Sequence, residues 1–268
     1  MAFEAELQGA LAAAEQASRT ILEQYARFQA IPDAPASIST DADRMSQAII
    51  IEHLRALFPG DAFCAEETSA AGTPVAGSGP RLWIIDPIDG TRGFAKKIGE
   101  FSVMISFVEN GEIALGVVQE PALARLTYAM RGGGCWRRDG KETSPTRCQV
   151  STVEQLAAAT LVQSHSRGPQ PYVKALGVAQ VRETYSAGIK LAIVARGEAE
   201  LYVNRYRAFH DWDICAGHIL VTEAGGRVTG LAGEELRYGL PGAWQKLGLL
   251  GTNGRVHDAA IRVGVTVE

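Results

Sequence analysis

The feature that most restricts the fold of this chain is a run of short apolar segments joined by turns, residues 101–139. Phe101-Ser102-Val103-Met104-Ile105-Ser106-Phe107-Val108 reads as a strand, and Glu109-Asn110-Gly111-Glu112 carries the Asn-Gly pair of a tight hairpin. Ile113–Gln119 and 125–130 read as two further strands, with Gly132-Gly133-Gly134 as a bend. Glycine runs can wrap phosphate, but no P-loop Lys-Ser/Thr follows this one. Strands that follow one another through hairpins form an antiparallel sheet. The repeated strand–helix units of a dinucleotide-binding fold are therefore not expected.

Helical patterns surround this sheet. Residues 3–28 place Phe3, Leu7, Leu11, Ala14, Ser18, Ile21, Leu22 and Tyr25 near one face of a helix that Pro32 and Pro35 end. Asp41 and Asp43 stand where they would cap a second helix, about 43–58, with Met45, Ile49, Ile50, Leu54 and Leu57 inside. Phe63–Thr68 is a short strand ending in Glu66-Glu67, followed by a Gly/Ala/Ser/Pro-rich connection, 69–80, expected to be mobile. From Val150 onward, helices are expected at 152–156, 171–177 and 213–224, and strands at 160–164, 180–184, 201–203, Val228 and 249–250. Ser186 can cap a helix carrying Ile189, Leu191, Ile193 and Val194, closed at Gly197, and a last helix carries Val256, Ala260 and Ile261. The sum is an α+β layered sandwich, organised as an N-terminal lobe, 1–149, and a C-terminal lobe, 150–268.

Charge and cysteine usage narrow the function. The net charge is −4 with no basic block, so a nucleic-acid polymer is not an expected partner. A small anionic substrate would need local help, most simply from metal ions. Cys64, Cys135, Cys148 and Cys215 are widely spaced, which suggests neither a zinc site nor a disulfide framework and makes a cytoplasmic location the expectation. Residues 1–11 hold Glu4 and Glu6 and do not read as a signal peptide. No apolar stretch approaches the roughly 20 residues of a membrane span.

The chemistry is expected where the strand Leu82–Ile85 runs into Asp86-Pro87-Ile88-Asp89-Gly90-Thr91. Asp-Pro and Asp-Gly are common turn dipeptides, so alone this is a turn. Two carboxylates three residues apart can also converge on one hard cation, with the Ile88 carbonyl as a third oxygen, while Gly90 and Thr91 offer N–H groups and a hydroxyl to a phosphate. Glu66/Glu67, Asp213 and Asp41 are further acids at strand or helix ends. Asp213 by itself reads as a simple N-cap, and only its company points to a metal. An all-oxygen set suits Mg²⁺ or Mn²⁺ rather than zinc or copper.

Taken together, Glu66-Glu67-Thr68, Trp83 to Thr91, and Trp212-Asp213-Ile214-Cys215-Ala216-Gly217 with Glu223-Ala224-Gly225-Gly226 closely resemble the signatures of the inositol monophosphatase family, in order and separation, over nearly the whole chain. The resemblance implies an α/β/α/β/α sandwich of the inositol monophosphatase and fructose-1,6-bisphosphatase type. It implies a lithium-sensitive phosphomonoesterase using two or three Mg²⁺ ions, with Mn²⁺ as an alternative, and a homodimer. By match, Glu66, Asp86, the Ile88 carbonyl, Asp89 and Asp213 would be metal ligands. Glu66 and Thr91 would orient and deprotonate the attacking water, and Gly90 and Thr91 would hold the phosphate. Asp41, matched to the family's Thr-Asp element, would help hold a weaker metal, as would Glu67. The implied attack on phosphorus is in line, with no phospho-enzyme.

Within the family, Gly99-Glu100-Phe101-Ser102-Val103 with Glu109-Asn110-Gly111, and Ile189-Lys190-Leu191 leading to Val194–Tyr202, resemble the 3′(2′),5′-bisphosphate nucleotidase branch. There Lys190, following the Ser186 cap, would approach the substrate's second phosphate. Asn204 stands where inositol-specific members carry an acid for sugar hydroxyls. Two departures run the other way: Ser164-His165-Ser166-Arg167 replaces that branch's Ser-Arg-Ser-His order, and Tyr185-Ser186 replaces Gly-Ser. The expected reaction is 3′-phosphoadenosine 5′-phosphate to AMP, with inositol 1-phosphate or histidinol phosphate as alternative substrates. A catalytically silent, metabolite- or partner-binding member is the reading from another class. The presence of every carboxylate and of Thr91 argues against it.

Overall fold

The computed structural model describes the chain except residues 1, 36, 69–73, 141, 143, 167, 169, 207, 208 and 268. Two helices open it, α1 (Glu4–Arg27) and α2 (Asp41–Leu57). Then come β1 (Ala62–Thr68), β2 (Pro74–Ala76), β3 (Arg81–Asp89), the short α3 (Thr91–Ala95), β4 (Ser102–Glu109), β5 (Glu112–Glu120), β6 (Arg125–Met130), β7 (Gly134–Asp139) and β8 (Thr146–Cys148). The second half holds β9 (Thr160–Gln163), α4 (Pro171–Leu176), β10 (Gln180–Glu183), α5 (Ala187–Ala195), β11 (Leu201–Asn204), β12 (Phe209–His210), α6 (Cys215–Glu223), β13 (Arg227–Thr229), β14 (Trp244–Gln245), β15 (Leu249–Thr252) and α7 (His257–Arg262).

Strand alternation sorts these elements into layers, because successive side chains of a strand point to opposite faces. From β3, Trp83 and Ile85 join a core built with α1 and α2, while Leu82 and Ile84 join one built with α5 and α6. From β11, Tyr202 faces that same middle core, while Leu201 and Val203 face an outer one with Leu176 of α4 and Ala260 of α7. The order is helices, eight-stranded sheet, helices, five-stranded sheet, helices: the α+β layered sandwich read from the pattern, with the five layers that the resemblance implies. The first sheet runs β2-β1-β3-β4-β5-β6-β7-β8 and the second β10-β9-β11-β15-β13. The hairpin series is antiparallel as expected, but β1 lies parallel to β3. Every residue of α5 is buried, as expected for a helix held between two sheets. Among the described residues no helix is long and apolar enough to cross a membrane.

Four expectations need correction. The connection 69–80 contains β2; its residues 69–73 lie outside those described. No helix forms at 152–156, where only Leu156 enters a 3-10 turn, Leu156–Ala158. There Asn253 Nδ2 donates to the carbonyls of Ser151 (3.3 Å) and Val153 (2.8 Å), which takes those acceptors away from a helix. Leu22 of α1 is 39% exposed rather than on the inner face. On α2 the inner face is rotated: Met45 and Leu57 are exposed, while Asp43, Ser46 and Gln47 are buried with Ile50, Ile51 and Leu54.

Candidate active site

The ladder between β3 and β4 breaks where the acids begin. Asp86 pairs with Met104 and Asp89 with Ser102, so β3 carries one residue more than its partner. This is a β-bulge, and Pro87 within it has no N–H to give the ladder. Asp86 and Asp89 thereby line the same cavity, about 380 Å³ in volume. Glu66, one residue beyond the last β1–β3 pair at Ala65, lines it too, with Ile88, Gly90, Thr91, Lys190, Asn204 and Asp213. Asp213 arrives from a 3-10 turn, Asp211–Asp213, ahead of α6, and accepts from the His210 N–H at 2.6 Å. Gly90 has φ +86°, and a Cβ there would lie 2.7 Å from the Glu100 carbonyl, so only glycine fits at this corner.

Two predicted site residues are placed elsewhere. Asp41 sits in the first turn of α2, its side chain 86% exposed and paired with Arg44. The acid that reaches the site is Asp43: its Oδ1 accepts from the Thr91 hydroxyl at 3.1 Å, and its Oδ2 from Thr40 N (2.8 Å) and Oγ1 (2.6 Å). Thr40 and Asp43 form a capping box at the start of α2, so Asp43 caps and serves the cavity at once. Ser186 is the predicted N-cap, accepting from Ile189 N at 2.9 Å, but it is fully buried and its hydroxyl donates to Asp89. It therefore holds Asp89 and does not face a substrate. Asp89 also accepts from Ala187 N (3.1 Å), Gly188 N (2.7 Å) and Ser102 Oγ (3.3 Å).

The acids strain one another. Burial, then the Glu66 charge, then Asp89 and Asp213, push the Asp86 carboxyl well up. Burial, then Asp213 and Asp43, push Glu66 up to about 8, while a hydrogen bond with Asp86 pulls it back. Glu66 is exposed on the cavity side, so solvent screens part of that effect. Burial pushes Asp213 up to about 7 against the pull of the His210 N–H, and pushes Asp89 up against Ser186, Lys190 and the α5 N–H groups. Asp86 Oδ1 is buried with no hydrogen-bond partner. As their side chains stand, no three His, Cys, Asp or Glu groups close around one point among the described residues; Glu66 and Asp86 instead share a hydrogen bond. Like charges crowded in a low-dielectric wall, with one carboxylate oxygen orphaned, fit a hard divalent cation that takes oxygen ligands. Glu67 reaches toward Ser39, whose hydroxyl donates to it at 2.6 Å.

Lys190 and Asn204 close the far side. Lys190 is 1% exposed; its Nζ donates to Ser164 Oγ (3.0 Å) and the Tyr185 carbonyl (2.9 Å) and lies 5.1 Å over the Tyr202 ring. Burial pulls its pKa down to about 8, while Asp89 pulls the other way. Asn204 accepts from Tyr206 N at 2.9 Å. A second cavity of about 230 Å³ opens beside the first and shares Ser164, His165, Tyr202, Asn204 and Tyr206 with it. Gln163, Gln170 and Tyr172 line its remainder. Of the loop 164–167, Arg167 lies outside the described residues. The sequence reading missed Arg92, stacked 5.0 Å over Tyr185, and Glu100, 2.7 Å from His165 Nε2. Glu100 falls within the Gly99–Val103 segment read above only as a branch likeness, and both contacts join residues far apart in the chain.

The sequence profile of the inositol monophosphatase family matches residues 4–264. Among curated relatives, the Thermotoga maritima "fructose-1,6-bisphosphatase/inositol-1-monophosphatase" is 34% identical over 84% of this chain and 82% of its own. The Salmonella typhimurium "3′(2′),5′-bisphosphate nucleotidase CysQ" is 35% identical over 80% and 83%. The Mycobacterium tuberculosis "histidinol-phosphatase" is 31% identical over 96% of both. Among solved structures, a Thermotoga maritima IMPase superposes with a TM-score of 0.80 at 30% identity, covering 96% of each chain.

Proposed function

This chain belongs to the inositol monophosphatase family and is a phosphatase, and from that premise we propose that it hydrolyses a 3′(2′),5′-bisphosphate nucleotide, 3′-phosphoadenosine 5′-phosphate, to AMP. The observation that supports this substrate is the second cavity. It gives a leaving group aromatic and amide walls in Tyr172, Tyr206, Gln163 and Gln170, with Lys190 near the junction as a cation for a second phosphate. The neutral Asn204 stands where an acid would favour sugar hydroxyls.

In this reading Glu66, Asp86, the Ile88 carbonyl, Asp89 and Asp213 hold two or three Mg²⁺ ions, or Mn²⁺. Bound there, the ions would neutralise the phosphate and lower the pKa of water. The chain's own groups do the rest. Thr91 Oγ1 meets two acceptors, Asp43 Oδ1 at 3.1 Å and the Ile88 carbonyl at 3.0 Å, so donating to either leaves lone pairs to orient the attacking water. Glu66 takes that water's proton. Gly90 and Thr91, at the start of α3, present backbone N–H groups to the phosphate. The proposal includes a homodimer, as the family resemblance implies, and a cytoplasmic location, as the widely spaced cysteines suggest. It also reads lobes 1–149 and 150–268 as functional units: the first sheet ends at Cys148 and the second begins at Thr160.

A second reading, histidinol phosphate as substrate, is favoured by Glu100 and Glu183, which flank His165 at 2.7 and 3.4 Å and would suit an ammonium group. The test is phosphate release with Mg²⁺ from 3′-phosphoadenosine 5′-phosphate, inositol 1-phosphate, histidinol phosphate and fructose 1,6-bisphosphate, ranked by kcat/KM. The bisphosphate nucleotide should lead. Lys190→Met should lower its kcat/KM by about 10–100-fold, the worth of a charged hydrogen bond, and leave p-nitrophenyl phosphate nearly unaffected. A lead for another substrate, or equal losses on both, overturns this assignment.

A further inference from the structure

The inner face of α2 is polar over its first turns, and it lies against the places where the strand ladders give out. Asp43, Ser46 and Gln47 stand at i, i+3 and i+4, the spacing of one helix face, and all are buried. Ser46 Oγ donates to the Pro87 carbonyl at 3.0 Å. Gln47 Nε2 donates to the Glu67 carbonyl at 2.7 Å, and its Oε1 accepts from the Glu67 N–H at 2.9 Å. Pro87 lies inside the β3 bulge. Glu66 and Glu67 lie past the last β1–β3 pair, where the register of β1 against β2 also shifts. A carboxamide that gives to the C=O and takes from the N–H of one residue replaces a neighbouring strand at that residue. Periodicity alone would put apolar side chains at these inner positions, where they would leave the Glu67 and Pro87 peptide groups unpartnered.

We propose that Ser46 and Gln47 are positioning residues for cation binding: α2 supplies the hydrogen bonds that β1 and β3 give up, and so fixes Glu66 relative to the Asp86–Asp89 bulge. The inference rests on the reading of the cavity as a divalent-cation site. Neither residue would touch the cation or the substrate, since each acts through the backbone that carries the carboxylates.

The experiment measures Mn²⁺ binding to the full chain by calorimetry without substrate, alongside the thermal midpoint of the metal-free protein. Gln47→Leu should weaken Mn²⁺ binding about tenfold and Ser46→Ala about threefold. Thr252→Val, which removes a buried hydroxyl from His257 in the second sheet, serves as a control for stability alone. It should lower the midpoint and leave Mn²⁺ affinity within about twofold of wild type. Unchanged affinity in a folded Gln47→Leu protein overturns the proposal, as does an equal loss in Thr252→Val. Should Gln47→Leu not fold, Ser46→Ala decides by the same criterion. A wild-type protein that binds no Mn²⁺ overturns the cation-site reading itself, and the positioning role with it.

Discussion

Thr91 and Asp43, 48 residues apart in the chain, are joined by a 3.1 Å hydrogen bond from hydroxyl to carboxylate. The bond makes Asp43 the acid behind the hydroxyl proposed to orient the attacking water, while Asp41 faces solvent beside Arg44. Burial pushes Asp43 up, and the Thr40 hydroxyl, the Thr40 N–H and Thr91 pull it back, so it acts as an acceptor already occupied by its partners. Asp43→Ala is expected to lower kcat by about a hundredfold or more, the scale of a lost proton-handling group. Asp41→Ala should stay within about twofold, as exposed surface changes do. Circular dichroism should show both variants folded. The opposite ranking would return Asp41 to the site.

Asp89 is held more completely than any other acid of the cavity, by Ala187 N, Gly188 N and the hydroxyls of Ser186 and Ser102. An amide in its place would turn N–H groups against some of these donors. Asp89→Asn should therefore cost about 1–3 kcal/mol of stability and cut turnover by about a thousandfold, roughly 4 kcal/mol in the barrier. Urea unfolding and kcat at saturating Mg²⁺ measure the two separately. A near-normal kcat would remove Asp89 from the machinery.

These two acids also show what the sequence could and could not disclose. The turn Asp86–Thr91 is legible because its constraints are local: Pro87 interrupts the ladder and Gly90 takes a positive φ, each signalled by residue type. The layers are legible because strand alternation carries them, as in Leu82 and Ile84 against Trp83 and Ile85. The α2 face is not, because periodicity assigns apolar side chains inward, and here Asp43, Ser46 and Gln47 displace Met45 from the inner face to meet the site. Ser186 is legible as a cap, but its second partner, Asp89, lies 97 residues earlier, and only the packing of α5 between the sheets joins them. The absence of a helix at 152–155 goes with bonds from Asn253, far along the chain, and has no local sign.

Crowding of Glu66, Asp86, Asp89 and Asp213 predicts that a divalent cation supports the fold as well as the chemistry. Each of these carboxyls is pushed up, largely by burial, so the metal-free cavity is costly once its acids ionise. Chelator-treated protein should lose phosphatase activity and regain it with Mg²⁺. Mg²⁺ at a hundred times its Kd should add about 2.7 kcal/mol to the unfolding free energy, while Na⁺ at equal ionic strength should not. Activity that survives exhaustive chelation, or a stability that Mg²⁺ leaves unmoved, would mean that the carboxylates do not form a cation site.

His257 predicts a separate dependence on acid. It is fully buried, with Nδ1 2.9 Å from Thr252 Oγ1 and Nε2 3.0 Å from Thr229 Oγ1. Burial, then the Arg227 charge, lowers its pKa from 6.5 to about 4. The unfolded chain therefore takes up this proton near pH 6.5, and the native protein only near pH 4. Above pH 6.5 the imidazole is neutral in both states and contributes no slope. Between the two values the unfolded state binds more protons, so stability falls as the pH drops, by at most about 3 kcal/mol in all. Other groups titrate over the same range, so the quantity to measure is the stability difference between wild type and His257→Gln from urea unfolding at pH 7.5, 6 and 4.5. The variant should be the less stable at pH 7.5, having lost the fit between two threonine hydroxyls. Its deficit should narrow by about 2–3 kcal/mol on going to pH 4.5, because only wild type carries the proton penalty. A deficit that stays constant with pH would mean that His257 has the same proton affinity folded and unfolded, and that burial does not hold it neutral.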